Sequence, residues 1–134
     1  MHRIAREISF CYGHRLLHYD GKCRHLHGHN GKAILTLEAA QLDGQGMVVD
    51  FARLKRVVGG WIDEAIDHKM LLHRDDPMLP FFQAQGEPVY VMDVNPTAEN
   101  IARLIYEYTA AQGFPVVEVQ LWETDTCQAS YGSR

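Results

Sequence analysis

The alternation of apolar and polar positions predicts most of the elements. Ile4, Ile8, Phe10 and Tyr12 share one parity and His14 continues it, so a strand is expected from about 4 to 14 with His14 on its apolar side. Residues 18–23 read as a loop around the turn pair Asp20-Gly21. A second strand is expected at about 31–40, with Ala33, Leu35, Leu37 and Ala39 on one face and Lys32, Thr36 and Glu38 on the other. Extended backwards, the same odd parity takes in His27 and His29, because side chains two apart share a face. The turn 41–46 leads into an expected short strand at Met47-Val48-Val49.

Asp50 is placed to cap a helix whose apolar stripe is Phe51, Leu54, Val57, Val58, Trp61, Ile62, Ala65 and Ile66. Gly59-Gly60 weakens it by roughly 1 kcal/mol per glycine relative to alanine, and it should end near Asp67-His68. Residues 73–88, broken by Pro77, Pro80 and Pro88, read as an irregular excursion, and Val89–Met92 as a short extended piece. Thr97 can cap a second helix, with Glu99 in its first turn, Ile101, Leu104, Ile105 and Tyr108 as its buried stripe, and Gly113 with Pro115 ending it. The last strand is expected at about 116–123, with Val117, Val119 and Leu121 on one face. Glu123 ends that apolar row on the same parity, and an extended segment at 127–131 can pair with it. The order gives an α+β class: a mainly antiparallel sheet covered on one face by two helices.

At 134 residues the chain fits one domain, 1–134. A net charge of −4 argues against nonspecific nucleic-acid binding, and no apolar run reaches the roughly 20 residues of a membrane-spanning helix. The N-terminus lacks the apolar stretch of a secretion signal, and Cys11, Cys23 and Cys127 are an odd set, read as reduced thiols of a cytoplasmic protein.

Composition changes the picture at one place. His14, His18, His25, His27 and His29 fall within sixteen positions, five of the eight histidines in the chain. His-x-His on one strand with a third histidine from its neighbour supplies three nitrogen ligands, and three protein ligands with an open fourth position is the pattern of a catalytic zinc site. His14, His27 and His29 continue apolar strand faces and are the expected ligands, with His18, in the loop, and His25, ahead of the strand, less favoured. Cys23, four residues before His27, can share such a pocket as a nucleophile or base. A structural Cys-His₃ site with Cys23 as fourth ligand also fits the residues. Cys11 and Cys127 lie in strand-like contexts and suit small buried positions. Asp67 can orient His68, and Glu123 can accept paired N–H donors from an amidine-like edge. Alone, Asp67-His68 reads first as a helix C-terminus whose histidine satisfies the dipole, and Glu123 reads equally as a strand-end surface acid.

Together these residues resemble the 6-pyruvoyltetrahydropterin synthase and 6-carboxytetrahydropterin synthase family. The likeness runs through Phe10–His14, Cys23–His29, Gly46–Phe51, Asp67-His68, Pro96–Asn100 and Trp122–Thr124, ending in Ala129–Tyr131. It implies zinc on His14, His27 and His29, a proton-transfer group of Cys23, Asp67 and His68, and substrate binding by Glu123 and Thr124. It implies the tunnelling fold (T-fold), a four-stranded antiparallel sheet with two helices, assembled as a homohexamer of two trimers with shared active sites. The four-residue step from Cys23 to His27 resembles the bacterial 6-carboxy enzymes of queuosine biosynthesis. The implied reaction converts 7,8-dihydroneopterin triphosphate to 6-carboxy-5,6,7,8-tetrahydropterin with release of acetaldehyde and triphosphate. The 6-pyruvoyl activity is the alternative, and a non-catalytic zinc- or pterin-binding protein of the same fold is a second one. Two positions depart from the family pattern. Tyr12 stands where a small alanine is usual, and the segment after His68 continues as Lys69-Met70-Leu71-Leu72-His73-Arg74.

Overall fold

The structure, a computed structural model, describes residues 1–133; Arg134, the last residue of the expected domain, lies outside them. Six strands form one sheet in the order β4-β3-β1-β2-β5-β6. They are β1 (His2–His14), β2 (His27–Ala39), β3 (Lys69–His73), β4 (Val89–Met92), β5 (Val116–Trp122) and β6 (Gln128–Gly132). The expected four-stranded antiparallel sheet is therefore corrected to six strands. β1, β2, β5 and β6 are antiparallel neighbours, and β3 and β4 extend the β1 edge in parallel.

β1 and β2 pair along their whole lengths, from His2 opposite Ala39 to His14 opposite His27. Alternation puts Ile8, Phe10, Tyr12, Ala33, Leu35 and Leu37 on the face covered by helices. The register between β2 and β5 shifts at Thr36/Leu37, so Leu37 faces Val116. The bulge turns Val116 inward and leaves Val117 half-buried, which corrects the expected Val117 row; Val119 and Leu121 keep their places. A bulge adds one residue to one strand and reverses facing beyond it.

Asp50 caps the first helix by accepting the Ala52 N–H at 2.9 Å. That helix is three pieces in series: α1 (Phe51–Leu54), a π-helical turn (Lys55–Gly59) and α2 (Gly60–Ala65). Thr97 caps α4 (Ala98–Ala111) by accepting the Asn100 N–H at 3.1 Å, and Trp61 stacks on Tyr108 at 4.2 Å between ring centres. Leu54, Val58, Ile62, Ile66, Ile101 and Ile105 are fully buried against the sheet, each contributing about 1.5–3 kcal/mol by leaving water. Two further expectations change: residues 47–49 are irregular, with a bend at Val48 and Val49, rather than a strand, and the excursion contains a short helix, α3 (Leu79–Ala84), with a proline in its first turn. Lys69–His73, where no element was expected over most of its length, is a strand.

Candidate functional site

His14 ends β1 and His27 begins β2 directly opposite it, with His29 two residues further along the same face. The pairing register alone thus brings three imidazoles together at one end of the sheet. Their ring centres lie 4.5, 5.1 and 5.0 Å apart, and their ligand nitrogens fall within 4.8 Å of one another. His14 is 2% exposed. Its Nδ1–H donates to the Pro96 carbonyl at 2.6 Å, and His27 Nδ1–H donates to the His25 carbonyl at 2.7 Å. A carbonyl only accepts, so both rings carry the proton on Nδ1 and present a bare Nε2. The Nε2 atoms of His14, His27 and His29 are all buried without a hydrogen-bond partner. Three buried acceptors left open and aimed at one point fit a metal ion, since native proteins rarely leave such groups unsatisfied. Burial holds the His14 imidazole below its ordinary pKa, against the Pro96 bond and the Glu123 charge, with His27 and His29 adding to the lowering. The neutral form so favoured is the ligand form.

Glu123, the residue after β5, closes the group. Its carboxylate oxygens lie 3.8 Å from His14 Nε2 and 3.9 Å from His29 Nε2. Tyr12 O–H donates to Glu123 Oε1 at 3.0 Å, and its ring, 3% exposed, packs against His14 and His29. Gly31 makes room for that ring, because a β-carbon there would meet Tyr12 Cε1 at 2.9 Å. Burial, then the Glu123 charge and hydrogen bond, pushes the Tyr12 phenol far above its usual pKa, so it remains a donor. The sequence carries only a faint trace of the partnership of Tyr12 with Glu123: Tyr12 and His14 lie on the apolar parity of β1, and Glu123 on that of Val119 and Leu121.

Asp67 and His68 sit between α2 and β3, next to β1. His68 Nδ1 bonds Asp67 Oδ2 at 2.7 Å. Burial acts to raise the Asp67 pKa, but the Cys11 N–H bond, then His68 and Lys69, outweigh it and hold the carboxyl below the usual range. The thiol beside this pair is Cys11, with Sγ 3.6 Å from His68 Nε2. Cys23 lies elsewhere, half-buried in a 3₁₀ turn (Lys22–Arg24), its carbonyl accepting the Leu16 N–H. It belongs neither to the histidine group nor to the Cys11–Asp67–His68 group, so the structure does not give it the place of a fourth metal ligand. Cys127 is exposed and Cys11 half-buried, which corrects the expectation of small buried residues, and all three thiols are unpaired. Thr124 is exposed and borders a cavity of about 700 Å³ together with Cys11, Asp67, His68 and Trp122. A second cavity of about 610 Å³ runs from His27 and His29 to Cys11 and His68.

Sheet and site define an α+β protein with a three-histidine centre compatible with a metal. The 6-pyruvoyl tetrahydropterin synthase family model matches residues 3–134, and the chain belongs to that family. A 6-carboxy-5,6,7,8-tetrahydropterin synthase of Rickettsia bellii is 37% identical, covering 95% of this chain and 97% of the relative. Its counterpart in Haemophilus influenzae is 30% identical over 98% and 99%. Among solved structures, an uncharacterized protein from Wolinella succinogenes matches with a TM-score of 0.79 and 31% identity, covering 99% of this chain and 98% of that one. The 6-pyruvoyl tetrahydropterin synthase of Caenorhabditis elegans matches at 0.72 and 26%, covering 98% and 95%.

Proposed function

We infer that the chain is a zinc-dependent 6-carboxy-5,6,7,8-tetrahydropterin synthase, a lyase of one domain over residues 1–134 that serves queuosine biosynthesis. Its substrate in this reading is 7,8-dihydroneopterin triphosphate, and its other products are acetaldehyde and triphosphate. The observation that carries the reading is the set of three open, buried Nε2 atoms in a chain whose relatives bear the 6-carboxy name over nearly their full length. His14, His27 and His29 would hold the ion, which when bound supplies Lewis-acid polarisation of the substrate's side-chain hydroxyls.

His68, oriented by Asp67, moves a proton at the adjacent side-chain carbons, and the Cys23 thiol is its partner. Within one chain Cys23 is not grouped with His68, so a neighbouring subunit of a homohexamer supplies it. Glu123 anchors the pterin edge and Thr124 borders the path to it. Tyr12 occupies one lone pair of Glu123 Oε1, and the carboxylate's other sites remain for the paired N–H groups of a pterin. Among the described residues no helix is long and apolar enough to cross a membrane. A cytoplasmic small-molecule enzyme without nucleic-acid partners is part of the same reading.

The resemblance to the Caenorhabditis 6-pyruvoyl protein favours a second reading, in which the same groups eliminate triphosphate and keep the carbon chain. Triphosphate release from the purified protein tests the shared chemistry. His27→Ala and Cys23→Ala are each expected to lower it at least about 100-fold, the lower end of a lost acid–base contribution. Zinc retention without turnover in the parent protein would point instead to a non-catalytic binder.

A further inference from the structure

Cys11 lies on the opposite parity of β1 from Tyr12 and His14, and the reading above does not use its thiol. Two bonds dock the Asp67-His68 pair on its main chain: Cys11 N–H donates to Asp67 Oδ1 at 2.9 Å, and His68 N–H donates to the Cys11 carbonyl at 2.7 Å. His68 takes φ +58°, a left-handed conformation that costs a non-glycine residue on the order of 1 kcal/mol and recurs at functional sites. So held, its ring bonds Asp67 Oδ2 through Nδ1 and lies beside Cys11 Sγ, which is 3.6 Å from Nε2 and 3.9 Å from Nδ1. The sequence of contacts is carboxylate, imidazole, thiol: a base within reach of a nucleophile, itself oriented by a third group.

The same three side chains offer at most one sulfur, one imidazole nitrogen and one carboxylate whose two oxygens each already hold an N–H, which is one ligand short of a closed tetrahedral site. Cys11 and His68 also border both cavities, so small molecules in either have a path to the sulfur.

We propose that Cys11 is a nucleophilic thiol served by His68, which captures soft carbon electrophiles such as haloacetamides and enones. With iodoacetamide the sulfur electron pair forms the S–C bond as the C–I bond breaks and iodide leaves. The thiol proton passes to His68 Nε2 and on to water. This rests on the proposed function in one respect: His68 is the proton-transfer residue there, so an adduct on Cys11 stops turnover.

The test is the time course of iodoacetamide labelling at each cysteine of the intact protein, resolved by peptide mass mapping without substrate. Cys11 should react at least about ten times faster than Cys127, although Cys127 is the more exposed. In His68→Gln the Cys11 rate should fall to that of Cys127, with Cys127 unchanged. A Cys11 rate no higher than that of Cys127, or one that His68→Gln leaves unaltered, overturns the proposal. Should His68→Gln not fold, the site-resolved time course of the wild type decides: a Cys11 rate at least about ten times that of Cys127 supports the assignment, and one no higher overturns it. Labelling is read without turnover, so an inactive protein with fast Cys11 leaves the thiol assignment standing and removes only the pterin reading. Slow Cys11 in an active protein removes only the thiol assignment.

Discussion

Replacing Tyr12 with phenylalanine removes one oxygen and keeps the ring packing, which isolates the bond that ties β1 to Glu123. Hydrogen bonds to charged groups contribute about 1.5–3 kcal/mol. Glu123 is 22% exposed at its side chain, so water can reach part of the carboxylate, and the low end, about 1.5 kcal/mol, is expected. At roughly 2.1 cal/mol/K of unfolding entropy per residue, that lowers the Tm of the metal-free protein by about 5 °C. Urea denaturation of chelator-treated wild type, Tyr12→Phe, Glu123→Ala and the double variant separates this bond from the rest. A coupling energy of about 1.5 kcal/mol is predicted, well above the 0.3–0.5 kcal/mol within which independent sites add. Additive losses would refute the claim that Tyr12 positions Glu123.

The histidine centre predicts binding of one zinc ion per chain to the metal-free protein, with stabilisation of about 2.7 kcal/mol at a free concentration of 100 Kd. His29→Ala should weaken that binding by more than about 100-fold, beyond the 10–100-fold typical of a lost second-shell partner. His25→Ala should leave it unchanged, because His25 contributes its carbonyl and not its exposed ring; calorimetric titration reads both. Asp76, 2% exposed, accepts two bonds from Arg15 in a pair that fastens the loop after β1 to the segment before α3. Asp76→Asn should cost about 3 kcal/mol, the low end for breaking a buried pair, since the Arg15 side chain is 21% exposed. Burial acts to raise the Asp76 pKa, but Arg15 and the Met78 N–H outweigh it and hold the carboxyl below its ordinary value. Its contribution is therefore present above the unfolded value of about 3.9 and is lost as pH falls through the lower folded one. The gap between wild type and Asp76→Asn in denaturation midpoints should close below about pH 4.

Long period-two alternation made β1 and β2 legible, and with them the three histidines, because strand phase and a shared end bring those side chains to one place. The caps at Asp50 and Thr97 were legible for a similar local reason: a short polar side chain ahead of an apolar stripe. The parallel edge was not. Lys69–His73 is five residues without alternation, since Leu71 and Leu72 are both buried, and its partner β4 has four. Nothing local marks the bulge that exchanges Val117 for Val116, because it arises from the fit of β5 against β2. The contacts from Tyr12 to Glu123 and from Cys11 to His68 span 111 and 57 residues. Sheet topology alone brings those pairs together, so no local pattern in the sequence announces the Tyr12–Glu123 bond or the approach of Cys11 to His68.

The central claim is that this three-histidine centre, with Asp67 and His68, cleaves the carbon chain of a pterin triphosphate. Mass spectrometry of the products, with acetaldehyde trapped and quantified against triphosphate, tests it directly. One acetaldehyde and one 6-carboxy-5,6,7,8-tetrahydropterin per triphosphate is the predicted result. Triphosphate released with the three-carbon side chain intact and no acetaldehyde would contradict it.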